Sequence, residues 1–241
     1  MRLITAGLMI TSAMTLSNAE AAMVTHTFDN GSDLSAWEVD RCAPDSFGIS
    51  DNELVMSVNA ESSCLSQGGF YHTQGMKLDT GNATVLSIDM FVDSSWSGAE
   101  RFGGMWGVSY DSTDTIDGYP IMEFQIPDAS TAANGGFDVW DNSGWADLTA
   151  SFLMDDWNTL MFKINGTQTE YYLNGALINS VDNGDTQYFG EVILNMKNAQ
   201  NNYSVRYDNL SFGTADVNAP ATAALFTLVL GGLVARRRNK V

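Results

Sequence analysis

Cysteine and histidine are almost absent from this 241-residue chain: Cys42, Cys64, His26 and His72 are the whole supply. Too few soft ligands remain for a zinc centre, and a catalytic thiol is disfavoured on the same ground. Basic residues are scarce as well. Between Ala22 and Asn218 there are 28 acidic and 6 basic residues, a net charge of −22. Such a surface repels phosphate backbones and anionic lipid, which excludes nucleic acid as a partner. It suits solubility in a salty or extracellular medium, with cation binding as the sharper reading. The body also lacks a long helix, internal repeats, low-complexity linkers and an EF-hand loop with its spaced acids and terminal Glu. Asp111, Asp114 and Asp117 stand three apart, which is not that pattern. Two lone cysteines in an exported chain are most simply one disulfide, Cys42–Cys64, closing a loop for about 3 kcal/mol in an oxidising compartment.

What is present is alternation. In Trp157 to Asn165, Leu160, Phe162 and Ile164 alternate with Met161 and Lys163, the period of a strand with one buried face. Asn165-Gly166 and Asn174-Gly175 then supply the positive φ values of two-residue hairpin turns, so Trp157 to Val181 reads as a three-stranded meander. Thr84 to Val92 places Leu86, Ile88, Met90 and Val92 on one face, and Arg101 to Tyr110 places Phe102, Trp106, Val108 and Tyr110 together. Tyr119 to Ile126 sets Met122, Phe124 and Ile126 against Ile121, Glu123 and Gln125, while Phe137 and Val139 oppose Asp138 and Trp140. Ten to twelve such strands predict one all-β, two-sheet antiparallel sandwich over residues 23–214.

The ends differ from the body. Residues 1–22 carry Arg2, an apolar stretch and small residues at Ala21 and Ala22, the layout of a secretory signal peptide. Residues 215–241 contain Pro220, an apolar run to Ala235, and then Arg236, Arg237, Arg238 and Lys240, a basic cluster that would hold its end on the cytoplasmic side. This tail resembles the PEP-CTERM sorting signal of Gram-negative bacteria. The resemblance implies retention in the inner membrane through the apolar helix, cleavage by an exosortase, and delivery to the cell surface or beyond. Val217-Asn218-Ala219-Pro220 stands where the family carries Pro-Glu-Pro, and a plain C-terminal membrane anchor is the alternative.

Three runs carry a second resemblance: Phe28-Asp29-Asn30-Gly31 with Trp37 downstream, the Trp157 hairpin with its two Asn-Gly turns, and the closing Tyr207-Asp208-Asn209-Leu210-Ser211-Phe212. They look like the concanavalin A-like jelly roll of laminin-G-like and sugar-processing domains. Asp117 to Asp128 is similar to the central strand of the 3-keto-disaccharide hydrolase-like branch. The resemblance implies a structural calcium between Asp29 and Asp208 and no other cofactor. Glycosidases of this fold often present their carboxylates as Glu-x-Asp-x-x-Glu on one strand, a run not found here, so Glu123 or Asp89 would have to serve alone. Sugar binding needs less: rings that stack on a pyranose beside amides and carboxylates. Tyr119, Glu123, Gln125, Asp138 and Trp140 share one outward side in these registers, with Arg101 adjacent, and Trp96 and Trp145 read as loop aromatics. The leading expectation is therefore an exported, surface-sorted, non-catalytic protein that binds glycan or matrix polysaccharide. The alternatives are a glycoside-processing hydrolase and a structural matrix component.

Overall fold

The computed structural model describes residues 23–61, 73–96, 100–126, 135–141, 143–147 and 150–214. The expected signal peptide, the sorting tail with Pro220, Arg236, Arg237 and Arg238, and Cys64 lie outside the described residues. No described cysteine is free.

Among the described residues sixteen strands, numbered along the chain, form two antiparallel sheets. The first runs β14 (Ala176–Asp182), β13 (Gln168–Leu173), β12 (Asp156–Asn165), β6 (Val85–Val92), β16 (Tyr203–Gly213), β4 (Glu53–Val58) and β3 (Ser46–Ser50). Its eighth strand, β1 (Met23–His26), pairs with the C-terminal half of β16, beyond the stretch that β4 takes. The second runs β11 (Trp145–Asp147), β10 (Gly136–Trp140), β9 (Ile121–Ile126), β7 (Arg101–Tyr110), β15 (Tyr188–Lys197), β5 (Thr73–Ala83) and β2 (Glu38–Arg41), with β8 (Ile116–Gly118) on β7. This is a jelly-roll sandwich. The strands outnumber those expected because several are only three to five residues long and carry too few alternations to be read.

Alternation builds the interior as expected. Leu86, Ile88, Met90 and Val92 of β6 and Leu160 and Phe162 of β12 meet Met105, Met122, Phe124, Phe137 and Leu194 of the other sheet, all fully buried. The expected meander is β12 to β14, and its turns hold Gly166 and Gly175 at φ 62° and 78°. Trp96 is no loop aromatic: it is buried against Phe124 and Tyr203.

Two tyrosines of β16 bolt the sheets together. The Tyr207 hydroxyl accepts from the Gly104 N–H at 3.0 Å and faces the carbonyls of Gly104 and Asn195 at 2.9 and 3.0 Å. Tyr203 does the same with the backbone of Phe102 and Lys197. Burial pushes both phenols well above their ordinary range, so each remains a protonated donor. These bolts land on β7 and β15, the strands under the outer face of the second sheet.

Candidate active site

That outer face carries a row of facing residues. Strand registers align Asp40, Gly75, Asn195, Gly104, Glu123 and Asp138 across β2, β5, β15, β7, β9 and β10. Their chain neighbours Leu194, Met196, Met122, Phe124, Phe137 and Val139 point into the core, so the row points out. Asn195 and Glu123 lie two strands apart, about 10 Å in a sheet. Their side chains still meet, the Asn195 amide donating to Glu123 Oε2 at 3.2 Å, because Gly104 leaves nothing between them.

Glu123 sits almost wholly out of solvent, and burial raises its carboxyl above the usual range. Hydrogen bonds from Asn195 and Trp106 and the charges of Lys197 and Arg41 oppose that rise. On the adjacent strand Asp138 stands directly opposite and accepts a hydrogen bond from the Gln125 amide. One carboxyl is thus held toward its acid form by desolvation, and a second is turned toward an amide donor beside it.

Above them opens a cavity of about 600 Å³. Glu123, Gln125 and Asp138 line its polar side, with Lys197 and Thr73 at one end. Its apolar side is Phe102, Trp106, Tyr119, Ile121, Trp140 and Trp145, the last 52% exposed and edge-on to Trp140. Broad rings beside convergent carboxylates suit a pyranose, whose apolar faces stack while its hydroxyls bond to acids and amides.

Tyr119, Glu123, Gln125, Asp138 and Trp140 are therefore brought together in one cavity. Arg101 is not: alternation turns Phe102 into it and Arg101 away, over the Tyr203 ring. Asp89 is removed further. It lies on β6 of the opposite sheet, where it accepts from Thr159 Oγ1 at 2.5 Å and Asn209 Nδ2 at 2.9 Å, so it cannot act with Glu123. The meander is likewise in the opposite sheet and touches the back of the site where the Tyr171 hydroxyl donates to the Trp140 carbonyl at 3.1 Å. Asn195 was missed, although a polar residue inside the apolar run Val192 to Met196 is a signal that could have found it.

Asp208 lies on the first sheet. Burial first, then the charges of Asp89, Glu53 and Asp29, raises its carboxyl against the bond from the Asn209 N–H. Asp29 accepts from Thr27 Oγ1 at 2.7 Å. Among the described residues no three His, Cys, Asp or Glu side chains converge to hold a metal. A cation there would draw on the two aspartates and on backbone carbonyls.

No family model and no curated protein matches the chain. Its structure is similar to that of a Bacillus licheniformis β-glucanase, with 11% identity, TM-score 0.52, and coverage of 80% of this chain and 97% of that one. A prokaryotic β-1,3-1,4-glucanase (lichenase) from a mouse hindgut metagenome is 13% identical, with TM-score 0.52, covering 79% of this chain and 98% of that one. A non-specific endo-β-1,3(4)-glucanase from family GH16 is 12% identical, with TM-score 0.56 and coverage of 82% and 96%. At these identities the likeness establishes the shared jelly-roll fold. The expectation of a non-catalytic binder rested on Glu123 standing alone. With Asp138 facing it on a fold shared with glucanases, that expectation gives way to its alternative.

Proposed function

We propose that this chain is a glycoside hydrolase acting on an extracellular polysaccharide. The observation that carries the reading is the facing pair Glu123 and Asp138 inside an aromatic cavity. Directly opposed strand residues hold their Cβ atoms about 4.5–5.5 Å apart. Side chains rooted that close favour the ~5 Å carboxyl separation of retaining glycosidases over the 6.5 Å or more that inverting ones need for a water.

The assigned chemistry is a double displacement. Glu123, whose acid form burial favours, gives its proton to the glycosidic oxygen while Asp138 attacks the anomeric carbon, forming a glycosyl-enzyme ester and releasing the leaving alcohol. Glu123, now a carboxylate, takes a proton from water, whose oxygen displaces Asp138 and restores both groups. Asn195 holds Glu123 in line, and the Gln125 amide donates to Asp138 and fixes its orientation. The test is incubation with a panel of neutral and acidic polysaccharides: new reducing ends are expected from wild type and none from Glu123→Gln. Wild type that releases none from any member overturns the reading.

The export route follows from the ends. Residues 1–22 direct secretion through the inner membrane, and residues 215–241 retain the chain there until an exosortase-like enzyme at Pro220 releases it to the cell surface or medium. Among the described residues no helix is long and apolar enough to cross a membrane, and the tail is outside them. Deleting residues 220–241 should move the protein from the membrane fraction to the released fraction. Unchanged fractionation removes the sorting role. Cys42 and Cys64 form the disulfide of the exported form.

Calcium at Asp29 and Asp208 would counter both the burial and the carboxylate repulsion that together lift Asp208. At a hundredfold excess over Kd it should add about 2.7 kcal/mol of stability. Thermal melts with calcium and with chelator, on wild type and Asp208→Asn, check this: the calcium-dependent rise in Tm should vanish in the variant.

A further inference from the structure

Six Lys and Arg side chains serve the whole body of this acidic chain, and five are ion-paired. Arg41 meets Asp40 at 2.6 Å, Lys77 meets Glu191 at 2.8 Å, Arg206 meets Glu53 at 3.1 Å, Lys197 meets Glu100 at 3.7 Å, and Lys163 meets Glu170 at 4.0 Å. Arg101 alone makes no ion pair among the described residues. Its Nη1 donates to the Glu100 carbonyl at 3.1 Å, and its buried Nε has no hydrogen-bond partner. In a body of net charge −22, a cation with no ion-pair partner among the described residues is the exception that asks for a ligand.

Arg101 lines a second cavity of about 280 Å³, apart from the first. Its guanidinium lies 5.2 Å from the Tyr203 ring centroid, and Arg206 borders the same space, held over Phe91 at 3.6 Å. Asn202, Ser95 and Ser204 add amide and hydroxyl groups. The one carboxylate among the described lining residues, Asp93, already accepts from the Ser95 N–H at 2.8 Å. The lining is thus rich in donors: the planar fork of Arg101 matches a carboxylate or sulfate, and Arg206 adds the face that its Glu53 pair leaves over. Arg101 and Phe102 are consecutive on β7 and point into different cavities, so one strand serves both.

The geometry points to a second glycan site, in which Arg101 with Arg206 takes the oxyanion group, carboxylate or sulfate ester, of an acidic sugar residue. This deepens the glycoside-processing reading by giving the polysaccharide a charge. The acidic surface elsewhere does not forbid it, because at physiological salt repulsion fades over about 8 Å.

Binding is read by titration calorimetry in the Glu123→Gln background, where ligand is not consumed. The probes are an oligogalacturonate, a sulfated galactan oligosaccharide, and an uncharged β-glucan oligosaccharide of equal length. At least one acidic probe is expected to bind, and adding Arg101→Gln should weaken it about tenfold or more. Ser204→Glu, at an exposed position on the rim, should do the same without touching the stacked guanidinium. The preferred acidic probe tells carboxylate from sulfate. The site is overturned if neither acidic probe binds, if the uncharged one binds as tightly, or if both substitutions leave affinity unchanged. Acidic binding that depends on Arg101, in a wild type that cleaves nothing, would sink the hydrolase and leave this site standing.

Discussion

Glu123→Gln is expected to lower kcat on the cleaved polysaccharide by about 10³-fold or more, since general acid catalysis by a positioned group contributes roughly 10²–10⁴ and the amide cannot donate that proton. Wild-type activity should fall as pH rises through the raised pKa of Glu123, because only the protonated form can assist departure of the leaving group. The variant should also melt no lower than wild type at neutral pH. A carboxyl whose folded pKa is raised costs stability once pH exceeds its unfolded pKa, and the amide carries no such cost. Asp138→Ala should be equally inactive, yet azide should restore turnover of an aryl glycoside with a good leaving group, giving a glycosyl azide of inverted configuration. That product identifies Asp138 as nucleophile, and azide without effect rejects the role. Asp128, five residues after Glu123, lies outside the described residues, and Asp128→Asn is the control. If it alone loses activity and responds to azide, the second carboxylate is Asp128.

The second large effect is expected at Gly104. A Cβ there would run into the Met122 carbonyl oxygen and lie 2.8 Å from Glu123 Cα, both backbone atoms that cannot swing aside. Overpacking of this kind costs about 1–3 kcal/mol, and the upper end applies where no flexible side chain can yield. For a domain of this size about 3 kcal/mol lowers Tm by roughly 6–12 °C. Gly104→Ala should therefore destabilise the fold and also part Asn195 from Glu123, which now meet over the bare glycine. The check is thermal unfolding beside kcat measured well below the lowered Tm. A variant with wild-type Tm and wild-type kcat would show that the gap is not required. Gly48, where a Cβ meets nothing within 4 Å, is the control, and alanine there should cost less than about 1 kcal/mol.

Much of the fold was legible because its signals are local. Alternation in Val85–Val92 and Asp156–Asn165, and two Asn-Gly turns, depend on residues adjacent in the chain, and the structure follows them almost residue for residue. Local alternation also put Glu123 and Gln125 on one side of a strand and Asp138 and Trp140 on one side of another. It could not say which strands lie together. Sequence proximity sets Arg101 beside that group although alternation places it opposite Phe102, and a carboxylate such as Asp89 carries no local mark of the sheet it joins. Asn195 reaches Glu123 from 72 positions away over a glycine that only sheet order places between them.

Composition and period therefore carried the class: an acidic all-β chain, its faces apolar inward, its turns marked by glycine. The facing of Glu123 with Asp138, the burial that lifts one carboxyl, and the separation of Arg101 into its own cavity came from tertiary structure alone. The reason is physical. Side-chain period is written in consecutive residues, whereas strand order, register and desolvation are set by the packing of two whole sheets, to which every segment contributes and which no one segment encodes.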